Sequence, residues 1–211
     1  MSALTAKFFT QVEAAGFYAT LLRDALDLLP DGHGRTLIDI GCGPGALTRL
    51  AAARGYHATG LDSDPAMIAQ ATRLARRQRS PASFTVAALS HAAGNAGQAD
   101  VVTAASLLAV VPDPVIALHQ LWTCVVPMGT LLVIETSKQM TPVNARRLLT
   151  AGLDGPGRPF LTMWARARNG RAIPPGLFDS LQPATPRHHP LLDGLVVATR
   201  IEKPASWTIG C

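Results

Sequence analysis

From residue 36 to residue 135 the chain alternates between short apolar runs and longer stretches with helical spacing. The runs are Thr36–Ile40 (TLIDI), His57–Asp62 (HATGLD), Ser83–Ala88 (SFTVAA), Asp100–Ala105 (DVVTAA) and Thr130–Glu135 (TLLVIE). They read as nearly continuous apolar segments, without the strict alternation of a half-solvated strand. Such strands are buried on both faces, as in a parallel sheet. A strand–helix–strand beat of this kind folds as a sheet covered by helices on two sides.

The intervening stretches carry their own punctuation. Residues 46–55 (ALTRLAAARG) read as a helix stopped by Gly55. Residues 64–78 read as a helix capped by Asp64 with Pro65 in its first turn, and Asp113-Pro114 repeats that opening for a helix over 113–125. The segment Pro127-Met128-Gly129 breaks it before the fifth strand. Upstream, apolar residues at 18, 21, 22, 25, 28 and 29 predict a helix that Pro30–Gly34 ends. After Lys138 the beat gives way to Pro, Gly and Arg residues, which predict short helices and loops lying over the sheet. Near the end, two apolar runs flank Asp193-Gly194, the pair that a tight hairpin turn uses, so the last two strands are expected to be antiparallel.

Composition narrows the function classes. Apolar residues make up 48% and charged residues 16% of 211 residues, which excludes wholesale disorder and suits one domain. Cys42, Cys124 and Cys211 form no C-x-x-C, so neither a disulfide framework nor a metal site is expected. The first residues lack a basic segment followed by a long apolar core, and the apolar stretch 101–111 is too short to span a bilayer. A cytoplasmic protein without a membrane partner is the expectation. Much of the net charge of +5 sits in Thr72–Ser80 (TRLARRQRS), where no aromatics interleave. That segment reads as a solvated helix face, not as a stacking platform for nucleic acid.

The junction of the first strand with the next helix, GCGPG, places Gly41, Gly43 and Gly45 within five residues. Gly41 permits the turn, while Gly43 and Gly45 are expected to let a ligand lie on the backbone and to leave helix-start N–H groups for its polar atoms. Asp62, at the end of the second strand, is placed to accept hydrogen bonds from two ribose hydroxyls, as a nicotinamide dinucleotide would also need. Asp39, inside the first strand, needs backbone amides or a ligand ammonium to offset its burial.

With these residues in view, the chain resembles the class I S-adenosylmethionine-dependent methyltransferases. The matching segments are LIDIGCGPGALT, GLDSDPAMIAQA, ADVVTAASLLAVVPDPVIALHQL and VPMGTLLVIE. The resemblance implies an α/β, Rossmann-like doubly wound sheet of about seven strands, mostly parallel, with an antiparallel C-terminal hairpin. It implies S-adenosyl-L-methionine as cofactor and a methyl transfer to a small organic acceptor at O, N, S or C. Gly41, Cys42, Gly43 and Gly45 would line the methionine part, Asp39 would approach its amino group, and Asp62 would hold the ribose. Ser63 and Met67 would lie beside the adenine, with Ala88 and Leu89 after the third strand. Ser106 and Leu107 would face the methyl group or the substrate. Ala88 stands where the family often carries an acid for the adenine amino group, and Pro127-Met128-Gly129 replaces its usual Pro-Gly-Gly.

One domain over 1–211 is expected: a helical lid (1–33), a cofactor-binding core (34–138), a substrate-covering insert (139–183) and the hairpin (184–211). Phe8, Phe9, Phe17 and Tyr18 read either as an apolar lid or as helix core. Tyr18, Trp164, Arg166 and Arg168 are the substrate candidates, the last three placed to cover an aromatic or anionic molecule. No triad is visible. Methyl transfer chiefly requires alignment and exclusion of water, so the catalytic candidates reduce to Glu135, at the end of the fifth strand, and His119. Two alternatives stand beside this reading: a cofactor-binding scaffold without activity, and a nicotinamide-dependent oxidoreductase, which the glycine spacing and the lack of Tyr-x-x-x-Lys oppose.

Overall fold

The computed structural model describes residues 16–91, 97–151, 158–174 and 176–205. Five strands, β1 (Thr36–Ile40), β2 (His57–Asp62), β3 (Ser83–Val86), β4 (Ala99–Ala105) and β5 (Val125–Thr136), run parallel, and β6 (Arg187–Leu191) and β7 (Val196–Glu202) form the final hairpin. The sheet order is β3-β2-β1-β4-β5-β7-β6. It reverses direction between β1 and β4, and a doubly wound sheet opens a crevice at such a point, outside the carboxyl ends of its strands.

Helices cover both faces. α1 (Gly16–Leu26), α2 (Ala46–Ala53), α3 (Pro65–Gln78), α4 (Pro114–Thr123), α5 (Pro142–Thr150) and α6 (Arg158–Arg168) follow in chain order, with a 3-10 turn at Leu177–Leu181. One apolar core joins α1, α2, α5 and α6 to Leu37, Val101, Leu132 and Ile134 on one sheet face. The second joins α4 and the 3-10 turn to Ile38, Ile40, Val102, Leu131 and Val133 on the other. Alternate residues of each buried strand therefore feed opposite cores, which is why the strands read as unbroken apolar runs. Arg76, Arg77 and Arg79 lie on the exposed face of α3 and its end, while Met67, Ile68, Ala71 and Ala75 face inward.

The expected caps are present. The Asp64 carboxylate accepts from the N–H of Ala66 at 2.9 Å, and that of Asp113 accepts from Val115 at 2.9 Å and Ile116 at 3.0 Å. Three boundaries differ from expectation. Pro127-Met128-Gly129 does not separate a helix from a strand but bulges inside β5: Ala99 pairs with Val125, the next pair is Val101 with Thr130, and Met128 takes φ 64°. The bulge holds because the Met128 N–H donates to the Lys203 carbonyl (3.0 Å) and the Lys203 N–H to that of Gly129 (2.9 Å). The hairpin turn is not two residues but four, 192–195, with Leu192, Asp193 and Gly194 all at positive φ. β3 stops at Val86, paired with Asp62, and the Ala87 N–H makes the last bond of the ladder, to the Asp62 carbonyl.

Candidate active site

The bend between β1 and α2 is built from hydrogen bonds within the chain. The N–H groups of Gly41 and Cys42 both donate to the Leu61 carbonyl, at 2.8 and 3.0 Å. The Gly45 N–H donates to the Cys42 carbonyl at 2.9 Å. The Gly43 N–H donates to Oδ2 of Asp62 at 2.9 Å, and Oδ1 of Asp62 accepts from the Asp64 N–H at 2.9 Å. Asp62 thus locks the bend to the start of α3. The amides of the bend at 41, 42, 43 and 45 are spent inside the protein, because the short β1–α2 connection presses the bend against β2; α2 itself starts at Ala46.

The three glycines differ in function. Gly41, Gly43 and Gly45 have φ of 71°, 52° and 82°, in the left-handed region. A Cβ on Gly41 would sit 3.0 Å from Leu107 Cδ1, so the exit loop of β4 closes on the bend. Gly45 corrects the expectation of a ligand-facing surface: a Cβ there would meet Phe84 Cε1 at 2.4 Å and Ala71 Cβ at 3.1 Å. Gly45 is bare so that the ring of Phe84 can pack, and Gly60 meets the same ring. Cys42 is buried, with its Sγ near Gly60.

Asp39 is 1% exposed, and its partners come from the chain itself. Thr48 Oγ1 donates to Oδ2 at 2.7 Å and Thr103 Oγ1 donates to Oδ1 at 2.9 Å. Burial pushes its carboxyl up to about 6, against the opposing pull of those two hydroxyls. Thr103 stands level with Asp39 on the neighbouring strand. β4 carries a second polar residue, Asp100, so the sequence alone does not single out Thr103 as the partner of Asp39. Phe84 likewise carries no local sign that it packs on Gly45.

At the end of β5, Glu135 is 3% exposed. Its Oε1 accepts from the Leu108 N–H at 2.6 Å, while Oε2 has no hydrogen-bond partner among the described residues. Burial pushes this carboxyl up to about 7, and the nearby Arg168 guanidinium opposes that. Ser106, at φ 57°, turns the chain out of β4; its N–H donates to the Ile134 carbonyl at 2.8 Å, and its own carbonyl accepts from Arg168 Nη2 at 3.3 Å.

A family model described as a methyltransferase domain matches residues 13–172. The chain belongs to the class I S-adenosylmethionine-dependent methyltransferase family. It is 36% identical over 101 residues to a ubiquinone biosynthesis O-methyltransferase of Aeromonas salmonicida, covering 47% of this chain and 42% of that one. It is 30% identical over 168 residues to a trans-aconitate 2-methyltransferase of Rhodopseudomonas palustris, covering 78% and 63%. The chain thus spans about half the length of the curated relatives it matches. In fold it resembles the N-methyltransferase NodS from Bradyrhizobium japonicum, solved with S-adenosyl-L-homocysteine: TM-score 0.54, 18% identity, 90% of this chain and 88% of that one.

The fold gathers Gly41, Cys42, Gly43, Asp62, Ser106, Leu107 and Glu135 at the carboxyl edge of the parallel strands. Ser63 and Ala88 are exposed there, and Leu89 is half-buried against the second core. Met67 is turned inward at 2% exposure. Tyr18 and Trp164 meet each other edge to face, centroids 5.8 Å apart, where α1 packs on α6. Phe17 is core, and Phe8 and Phe9 lie outside the described residues. Arg166 is exposed; its neighbour two residues on, Arg168, is the arginine that reaches the strand edge. His119 lines a groove on the outer side of α4 with Val115, Ile116, Gln120 and Thr123, apart from the bend. Among the described residues no three His, Cys, Asp or Glu side chains cluster as metal ligands, and no helix is long and apolar enough to cross a membrane.

Proposed function

We propose that this chain transfers a methyl group from S-adenosyl-L-methionine to a small organic acceptor carrying an O, N, S or C nucleophile. One observation carries the choice of cofactor. The bend has spent its amides at 41, 42, 43 and 45 on the chain's own carbonyl and carboxylate oxygens. It offers a cradle without side chains but has no N–H from these four residues for a pyrophosphate, which dinucleotide-binding bends supply. The methionine part of the cofactor is zwitterionic: its ammonium calls for acceptors such as Asp39, and its single carboxylate would be met by the first amides of α2, beginning at Ala46.

These residues fit the cofactor. Gly41 and Gly43 would hold its methionine part. Asp62, whose two oxygens each accept one amide hydrogen bond, keeps further acceptor capacity for the ribose hydroxyls. Ser63, Ala88 and Leu89 would border the adenine, and Ser106 and Leu107 the sulfur side. Asp39 would act on the amino group indirectly, through Thr48 or water, because its carboxylate is buried at 1% exposure. When bound, the cofactor supplies a methyl carbon made electrophilic by positive sulfur. The protein's part is to align the acceptor and exclude water. The described parts of 1–33 and 139–183 would cover the acceptor, those of 34–138 would form the cofactor core, and those of 184–211 the hairpin. Cys42 and Cys124 are buried, which suits a reducing cytoplasm.

Calorimetric titration with S-adenosylhomocysteine and with NAD separates this reading from an oxidoreductase. Binding of the homocysteine nucleoside is expected, and binding of NAD alone would refute the proposal. Asp62→Ala should weaken nucleoside binding by about 1–3 kcal/mol, the loss of a hydrogen-bonded pair. Unchanged affinity removes Asp62 from the site.

A further inference from the structure

Glu135 is the chemically exceptional group of this molecule. Its face of β5 is that of Leu131 and Val133, which belong to the second core. A carboxylate one step beyond that core, 3% exposed and with one oxygen unpartnered, is costly unless a donor arrives. Hydrogen bonds within the chain explain only half of it. Oε1 is held at 2.6 Å by the Leu108 N–H, which fixes the exit loop of β4 and so sets Leu107 against Gly41. Oε2 has no hydrogen-bond partner among the described residues, although the Leu107 and Ala109 amides also act on the carboxyl.

The surroundings limit which donors can come. The charged group that acts on Glu135 is Arg168 of α6; the β4 exit loop contributes amides. Arg168 spends its Nη2 on the Ser106 carbonyl at 3.3 Å, the long end of the range for such a bond. Its guanidinium is half-buried and is not hydrogen-bonded to Glu135. An ionised oxygen accepts hydrogen bonds and gives none, so it suits an O–H or N–H and repels a second carboxylate.

We propose that Oε2 of Glu135 receives the hydrogen-bond donor of the methyl acceptor, and that the acceptor is accordingly a hydroxyl or amine compound and not a carboxylate. This rests on the methyltransferase reading above and names the substrate class of that same site. The acceptor's O–H or N–H bond breaks and its proton passes to Oε2. The electron pair stays on the acceptor atom, which takes up the methyl carbon as the carbon–sulfur bond gives its pair to sulfur. The neutral carboxyl then returns the proton to water. A carboxyl titrating at about 7 is suited to taking a proton at neutral pH.

The chain contains three glutamates, Glu13, Glu135 and Glu202. The full chain labelled with 13C at the glutamate side-chain carboxyl therefore gives three carboxyl resonances, and Glu135→Gln identifies the one that is lost. In the presence of S-adenosylhomocysteine, phenol, aniline and benzoate are added as probes across pH 5–9. Phenol or aniline should move the Glu135 resonance and its titration midpoint, and benzoate should not move the resonance on the alkaline side of about 7, where Glu135 is ionised. Glu135→Gln still accepts from Leu108, so its affinity for S-adenosylhomocysteine should stay within about twofold of the parent. Turnover of a responding probe should drop about 100-fold or more, with partial rescue in Glu135→Asp. Failure of the parent protein to bind S-adenosylhomocysteine overturns the methyltransferase reading. Normal binding with a Glu135 resonance that no hydroxyl or amine probe moves, or that benzoate moves equally on that alkaline side, overturns this inference alone.

Discussion

Gly45→Ala tests what the third glycine of the bend is for. Two costs are legible in the structure. The residue sits at φ 82°, where an L side chain costs about 1–2 kcal/mol. The new methyl would also lie 2.4 Å from Phe84 Cε1 and 2.7 Å from Cζ, well inside contact distance, with Ala71 Cβ at 3.1 Å behind it. Relieving such overpacking costs typically about 1–3 kcal/mol. The expected loss is therefore about 2–5 kcal/mol, or roughly 3 °C of melting temperature per kcal/mol for a chain of this size. Urea denaturation of the parent, Gly45→Ala, Phe84→Ala and the double variant completes the assay. If the ring is the obstacle, Gly45→Ala costs less by about 1–3 kcal/mol in the Phe84→Ala background than in the parent. Strict additivity would refute the steric argument and leave only the backbone term. A loss below 0.5 kcal/mol, roughly the spread of neutral surface changes, would refute both.

Two further tests address buried charge. The folded carboxyls of Asp39 and Glu135 titrate above their ordinary values, at about 6 and about 7. Their stabilising contribution is thus complete at low pH, below about 4, and is lost as pH rises through those values. Asp39→Asn should flatten the limb of a stability–pH curve between pH 4 and 6, a slope worth about 3 kcal/mol in total; urea midpoints at pH 4.5 and 7 that fall as steeply as in the parent would count against it. Lys203 is 6% exposed, donates to the carbonyls of Trp122 at 2.9 Å and Val125 at 2.7 Å, and lies 5.4 Å from the centre of the Trp122 ring. Lys203→Met should cost about 2–3 kcal/mol by leaving those carbonyls unpaired, measured by thermal unfolding.

Much of this molecule was legible without coordinates, and the reason is physical. A strand buried on both faces must be apolar throughout, a helix must open on a cap, and a backbone at positive φ favours glycine. β1, β2 and β4, the Asp64-Pro65 and Asp113-Pro114 helix starts and the GCGPG bend follow from those local rules. Roles that depend on what lies opposite in space are another matter. Thr48 and Thr103 satisfy Asp39, Phe84 takes the space of a Gly45 side chain, and Arg168 instead of Arg166 reaches Ser106. The residue numbers in these contacts are 9 to 64 apart, so no local pattern encodes them; only the packing of the sheet against its helices decides which polar group each one meets, and which one, Oε2 of Glu135, it leaves waiting.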